Sequence, residues 1–286
     1  SQSDVVNLII QTINTILSNI FSSIDNNIYS HLDDLIFIDN RILSSPIFDR
    51  LLGKNGGGTF ISLADPLLVG FSMYYIFRLF YSNYNEIQIE KPYQFIFKIL
   101  IFSLFINFSY FIFDQLLNIN YLISASIQEI GKNALNCDIN FSQLVSKLNS
   151  KVTIQTNGFD VFSFDGILKS IASAGLLNLL FSYSIRYILV QFFIISFPII
   201  LLTLSNASTS WIFKSWCKCF FSLLVIQIFI PLLLIVIFSL DDSNKILFIA
   251  AIYSLTKINS YIKEIFGGIS VDFSNSINGL IGYFKK

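Results

Sequence analysis

The chain has 286 residues, of which 54% are hydrophobic and only 13% are charged, and its formal net charge is +0. Soluble domains carry about a quarter charged residues, so this composition excludes an ordinary water-soluble domain and favours a polytopic membrane protein. The neutral balance gives no indication of a nucleic-acid or acidic partner.

The N-terminal part of the chain has an amphipathic pattern. Residues 4 to about 38 carry apolar side chains three and four positions apart, separated by Asn, Ser, Asp and Gln, which predicts one or two amphipathic helices. An acidic end that begins at Asp25 and the lack of a basic face argue against docking on anionic lipid and favour packing on other protein. Pro46 and three consecutive glycines before residue 59 predict a hinge that closes a segment over residues 1–58.

Residues 59–286 form the predicted membrane domain, so the expected fold is all-α with about five transmembrane helices. The last span is the weakest, because only part of it is strongly apolar and Lys257 lies within it. An outer loop is expected between the second and third spans, with a helical extension to about Glu129. The predicted spans are residues 62–82, 93–113, 176–204, 211–240 and 245–265, and the predicted loop is residues 115–165.

The apolar stretch from Gly166 to Leu204 is too long for one direct crossing. A continuous helix of this length measures about 57 Å at 1.5 Å per residue, against a hydrocarbon core of about 30 Å. No turn signal divides it into two spans. We therefore expect one long helix that protrudes from the membrane or bends, with Pro198 as the expected bend.

The positions of the basic residues predict an orientation. Lys and Arg border the connectors between spans one and two and between spans three and four, and they recur in the tail. The rule that positive residues face the cytoplasm then places the N-terminus outside and the C-terminus inside. The basic residues used are Arg78, Lys91, Lys98, Lys214, Lys218, Lys257, Lys263, Lys285 and Lys286.

The sequence offers few groups for catalysis or for metal binding. His31 is the single histidine, which excludes a histidine-based triad and leaves no metal-ligand spacing. Cys217 and Cys219 are two apart and point away from each other on a helix, so they and Cys137 are interpreted as thiols. We expect no catalytic residue, no metal and no cofactor.

Polar residues inside a predicted span are the remaining candidates. Asn178, Ser182 and Arg186 recur every four residues and therefore share one helix face. At membrane depth such a stripe faces protein or water, so it could line a channel or form a subunit contact. The alternative is an arginine at the membrane interface that extends its head group to water.

Two further features mark helix ends. Trp211 and Trp216 flank Lys214, as expected of an aromatic belt where a helix enters the membrane. Gly267 and Gly268 follow the last span and predict a helix stop.

These features together resemble the TrbL-like polytopic inner-membrane subunit of bacterial type IV secretion and conjugative transfer systems. The resemblance is carried by the outer amphipathic segment, the five spans, the sizeable outer loop and three short motifs. The motifs are Phe197-Pro198, the stretch Ser210-Trp211-Ile212-Phe213-Lys214-Ser215-Trp216, and Gly267-Gly268. The chain is rich in Ile, Phe and Asn where many members carry Ala and Gly.

The resemblance implies a non-enzymatic channel or scaffold subunit of the bacterial inner membrane. It implies several copies around a translocation path, with other secretion subunits including ATPases as partners. The implied cargo is single-stranded DNA with its attached protein, or protein. Two alternatives remain open: a stand-alone transporter or channel for a small solute, which the lack of an internal repeat disfavours, and a membrane-embedded enzyme.

Overall fold

The computed structural model describes residues 2–27, 31–53, 58–85, 91–151, 162–205, 209–240 and 244–267. Within these ranges the regular structure is entirely helical. The predicted hinge glycines 56 and 57, Gly268 and the basic tail lie outside the described residues. The helices are α1 Gln2–Asn27, α2 Asp33–Ile36, α3 Pro46–Leu52, α4 Thr59–Asn85, α5 Pro92–Asn107, α6 Ser109–Leu135, α7 Phe141–Lys151, α8 Phe164–Leu202, α9 Ser210–Ser239 and α10 Lys245–Phe266, with short 3-10 helices at Asn40–Ser44 and Thr203–Ser205.

Several helices are long and apolar enough to cross a membrane. Four qualify singly by length and composition, and a bent pair of helices, α5 with α6, makes five if it is one span. The four single helices are Asp4–Asn27, Thr59–Ser82, Phe164–Ser205 and Ser210–Ser239. The fold is therefore all-α, and its apolar helices fit a multi-pass membrane protein.

The second expected span is not one straight helix. α5 and α6 meet at an angle of 63°, because Phe108 between them leaves the helical conformation with φ −92° and ψ 8°. α6 then continues far into the expected loop and ends only where Asn136 adopts a left-handed conformation, φ 53°. Asn tolerates this conformation at a helix C-terminus. Residues 115–165, expected as a loop with a helical extension to about residue 129, thus hold the end of α6 and all of α7.

α8 is one continuous helix of 39 residues with Pro198 inside it, as the long apolar stretch predicted. The expected last span corresponds to α10, which is not among the helices apolar enough to cross alone. α1 belongs to that set, although the sequence predicted an amphipathic segment outside the membrane. Whether α1 or α10 crosses the membrane stays a prediction.

The chain divides into two compact units. Unit 1 comprises Ser1–Phe37, Tyr121–Tyr187 and Ser222–Lys286. In this unit α10 packs against α8, and the two helices run in the same direction. Lys245 pairs with Asp165 at the start of both helices, and the Tyr183 hydroxyl contacts the Leu255 carbonyl farther along both.

Unit 2 comprises Ile38–Asn120 and Ile188–Phe221. There α4 and α5 meet through Tyr75 and Phe95, whose rings stack with centroids 3.8 Å apart. Thr59 at the start of α4 donates a hydrogen bond to the Arg50 carbonyl in α3, so α3 and α4 form a compact corner.

Candidate functional site

Arg186 is the largest fully buried side chain in the described residues, and it lies within the long helix α8. Its Nε donates to the Leu223 carbonyl at 2.8 Å, and its Nη1 donates to the Ile36 carbonyl at 2.9 Å. Nη2 makes a longer contact of 3.4 Å with Oε1 of Gln227. One guanidinium therefore joins α8 to α9 and to the end of α2.

The acceptors explain why the arginine is buried here. Ile36 is the last residue of α2, and the final carbonyls of a helix have no partner within it. Leu223 and Gln227 are four residues apart and so share one face of α9. These oxygens surround the guanidinium with neutral dipoles, which lowers the cost of burying its charge.

The network continues from Gln227 to a fourth helix. Its Nε2 donates to Oγ of Ser124 in α6 at 3.3 Å, and that hydroxyl donates to the Tyr121 carbonyl at 2.8 Å. Tyr183, also on α8, donates through its hydroxyl to the Leu255 carbonyl in α10 at 3.1 Å. The polar groups around Arg186 thus connect α2, α6, α8 and α9, and the neighbouring tyrosine adds α10.

The predicted stripe faces protein. Ser182 and Arg186 are fully buried, and Asn178 is half-buried with its Oδ1 lacking a hydrogen-bond partner among the described residues. The alternative of an arginine reaching out to surface water does not agree with the burial of Arg186. Gln227 and Tyr183 were not anticipated, although a single glutamine inside the apolar run of α9 is a visible signal.

A second buried polar cluster joins α1, α7 and α8. Lys169 Nζ lies 2.8 Å from Asp25 Oδ2 and 2.7 Å from Asn149 Oδ1. Asn149 Nδ2 completes the triangle with a 3.1 Å hydrogen bond to Asp25 Oδ2. Asp25 and Lys169 are both buried, so this cluster holds the C-terminal end of α1 against the start of α8.

Asp33 fixes the start of α7. Its Oδ1 accepts a hydrogen bond from the Phe141 backbone N–H at 3.1 Å, and Asn140 caps the same helix by accepting from Gln143 N–H at 2.7 Å. Burial raises the pKa of the Asp33 carboxyl above its usual value, and the backbone hydrogen bonds at Phe141 and Ser142 oppose that shift.

The residues predicted as an interfacial hairpin separate into two groups. Trp211 is 64% exposed at the start of α9, and Lys214 is also exposed, as an aromatic belt predicts. Trp216 is instead buried, and its Nε1 donates to Ser196 Oγ at 3.1 Å. Pro198 is buried in the same unit.

An aromatic cluster accounts for the burial of Trp216. Its ring stacks on Phe220 with centroids 5.1 Å apart and lies 5.5 Å from Phe197. Phe113 from α6 contacts Phe197 edge to face at 5.0 Å. Because adjacent aromatic rings prefer such offset and edge-to-face arrangements, this cluster closes the α8–α9 hairpin and binds α6 to it.

The other predicted positions have simpler outcomes. Gly267 directly follows α10 with φ 71°, the conformation of a helix stop that glycine adopts readily. Cys137, Cys217 and Cys219 are free thiols. No cluster of His, Cys, Asp or Glu suited to a metal occurs among the described residues.

No protein-family model, no curated protein and no solved structure matches this chain.

Proposed function

We propose that the chain is a non-enzymatic channel or scaffold subunit of a type IV secretion machine that transfers DNA or protein. It would reside in the bacterial cytoplasmic membrane, where several copies surround a translocation path and contact other subunits, including the ATPases. The α8–α9 hairpin carries the proposal, since its Phe197-Pro198 and Ser210 to Trp216 motifs carry the resemblance.

The packing of the hairpin supports a structural role for these motifs. Phe197 and Trp216 face each other in one aromatic cluster, whereas Trp211 and Lys214 remain exposed. The motif therefore combines an internal closure of two helices with an exposed aromatic and basic edge. Such an edge fits lipid head groups or a neighbouring subunit.

The outer surfaces of α4 and α5 support a membrane location with neighbours. Phe77 is 73% exposed and Phe97 is 66% exposed, and large exposed apolar side chains at this density indicate contact with lipid or with other subunits. Within unit 1, the buried polar groups around Arg186 bond to one another and to backbone carbonyls. Apolar outer faces and internally bonded polar groups fit a scaffold subunit better than they fit an active site.

The proposed orientation follows the basic residues. The segment that contains Asp25 and Asp39, together with α7, would lie outside the cytoplasm, and the C-terminus would lie inside. This arrangement would place the connector between α8 and α9, next to Lys214 and Lys218, on the side of the ATPases.

A clean deletion of the gene tests the proposal. Mating transfer is expected to be abolished while growth stays normal, and a wild-type copy is expected to restore transfer. In complementation, Trp216→Ala should restore less transfer than Trp211→Ala, because only Trp216 closes the hairpin.

Unchanged transfer in the deletion strain would refute the proposed function. Saturable uptake of a defined solute by the purified protein in liposomes would favour the alternative, a stand-alone transporter.

A further inference from the structure

α1 carries a repeated apolar stripe that its own fold leaves partly open. Val6, Ile10, Ile13, Leu17, Ile20 and Ile24 follow one another at intervals of four and three residues. This is the spacing of the a and d positions of a coiled-coil heptad. We call these six residues the α1 seam.

Three of the six seam residues are exposed, and the other three, Ile10, Leu17 and Ile24, are half-buried. Val6 is 50% exposed, Ile13 is 36% exposed and Ile20 is 46% exposed. Ile9 and Ile16 flank them and are exposed to a similar degree. In contrast, Phe21 and Asp25 on the neighbouring edge are buried, so the helix is attached at its C-terminal end while one side of the seam stays exposed.

Lipid is a poor partner for this helix, even though its length and composition allow a crossing. Gln11, Thr12, Thr15 and Asn19 are exposed on the other faces of the same helix. Thr12 and Thr15 satisfy their hydroxyls on carbonyls one turn earlier, but amide side chains surrounded by hydrocarbon cost several kcal/mol each. Helices that lie on a bilayer carry Lys or Arg on the polar face, and α1 contains neither residue.

A second copy of the chain fits the seam well. Between Asp4 and Asp25 the helix contains no charged residue, so identical helices placed side by side meet no like-charge repulsion. Ile or Val occupies all but one seam position, and Ile at both a and d favours three or four strands over two. The contact between Asp25 and Lys169 fixes the base of α1 in every copy, and copies in one membrane share one orientation.

We propose that the α1 helices of several copies of this chain associate in parallel through the α1 seam and form a bundle of three or more strands. The partner is the same segment of another copy, and the polar faces of the helices remain toward water. The association depends only on the α1 seam and on the concentration of the chain in the membrane. It is therefore independent of the cargo that the assembly transports.

Disulfide crosslinking in membranes tests this arrangement. In the complete chain with Cys137, Cys217 and Cys219 changed to Ser, single cysteines are introduced by Val6→Cys, Ile13→Cys and Ile20→Cys. Thr15→Cys and Ser22→Cys on the opposite face are the matched controls. Mild oxidation is expected to produce covalent dimers at all three seam positions, at least about fivefold more than at the controls, because parallel a and d residues face their own equivalents.

A seam substitution provides the second measurement. Adding Ile13→Asn to the Ile20→Cys chain is expected to reduce its crosslinking about tenfold, since an amide in an apolar seam is unfavourable. Thr12→Asn is the control on the exposed side and is expected to leave crosslinking unchanged. Equal amounts of membrane-inserted protein, with equal melting temperatures in one detergent, show that both variants fold.

Four results would overturn the proposal. Crosslinks of equal yield at seam and control positions would indicate random collision. Absence of crosslinks at the seam, with quenching of a fluorophore at Ile13→Cys by lipid-borne quenchers, would assign the seam to lipid. Crosslinks between Val6→Cys and Ile20→Cys chains without crosslinks between like positions would indicate antiparallel helices, and crosslinks to a different protein would assign the seam to that protein.

Discussion

Arg186 and Lys169 show two ways in which single residues keep a positive charge inside an apolar fold. Lys169 has a carboxylate and an amide oxygen within 2.8 Å, whereas the three acceptors of Arg186 are neutral. The planar guanidinium can address several carbonyls at once, which an ammonium group does less well. Substitutions at the two sites are therefore expected to change the stability of the protein in different ways.

Arg186→Leu is expected to insert into the membrane normally and to lose about 2–4 kcal/mol of stability, because the Ile36 carbonyl and Gln227 would lose their donor inside the fold. Thermal unfolding in one detergent, followed by tryptophan fluorescence, measures the loss. Lys214→Leu, at an exposed position, is the control and should melt like the wild type. An unchanged melting temperature for Arg186→Leu would show that the network contributes nothing to stability.

Asp25→Asn is expected to destabilise the attachment of α1, because Lys169 would keep a buried charge without its counter-charge. Breaking a buried pair from one side costs about 3–5 kcal/mol. The exchanged pair, Asp25→Lys with Lys169→Asp, should recover part of that loss. Limited proteolysis after α1 measures the effect, and equal cleavage of the single variant and the wild type would contradict it.

At the scale of elements, close approach of helices depends on glycine. A Cβ on Gly131 of α6 would lie 2.5 Å from Ile235 Cγ1 of α9 and 2.9 Å from Ile139 Cγ1, which requires both side chains to move. Gly70 of α4 has nothing within 4 Å of such a Cβ. The two glycines thus have the same helical backbone and opposite surroundings.

Gly131→Ala is expected to lower stability by about 1–3 kcal/mol through overpacking. Gly70→Ala is expected to be neutral or to stabilise by about 0.5–1 kcal/mol, because alanine loses less conformational entropy in a helix. Thermal unfolding of the two variants under the same conditions measures which of them is less stable. A melting temperature of Gly131→Ala at or above that of Gly70→Ala would mean that the isoleucines adjust without cost.

Packing against α8 also covers part of α10, which by itself is too polar to count as a membrane span. Tyr253 of α10 donates to the Ile171 carbonyl of α8 at 2.9 Å, and its ring lies 3.0 Å from the position of a Cβ on Gly175. A helix with protein on one side exposes less of its polar surface to lipid. These contacts cover one side of α10, and its crossing at residues 245–265 stays a prediction.

At the scale of the whole molecule, the basic residues predict which side of the membrane each connector occupies. Ser243→Cys, in the connector after α9, is expected to react with an impermeant thiol reagent added from outside, in a chain without its native cysteines. Ser215→Cys, near the start of α9, should react only after lysis, because the basic residues beside it favour the cytoplasm. Labelling of Ser243→Cys only after lysis would reverse the proposed orientation.

The sequence by itself determined the class of the protein and the places of its long apolar helices. Hydropathy and helical periodicity are local properties, so α4, α8 and α9 lie where the apolar runs predicted them. The same local information indicated that Asn178, Ser182 and Arg186 share one face and that a helix ends before Gly267. It did not reveal the bend at Phe108, because no proline or glycine marks that position.

Only the tertiary structure decided what the polar and aromatic residues contact. Arg186 meets a carbonyl 150 positions earlier in the chain, and Lys169 meets a carboxylate 144 positions earlier. Trp216 is buried while Trp211 is exposed, although both occupy the same motif. Burial and pairing depend on segments that are remote in sequence, and a pattern within one helix carries no information about those segments.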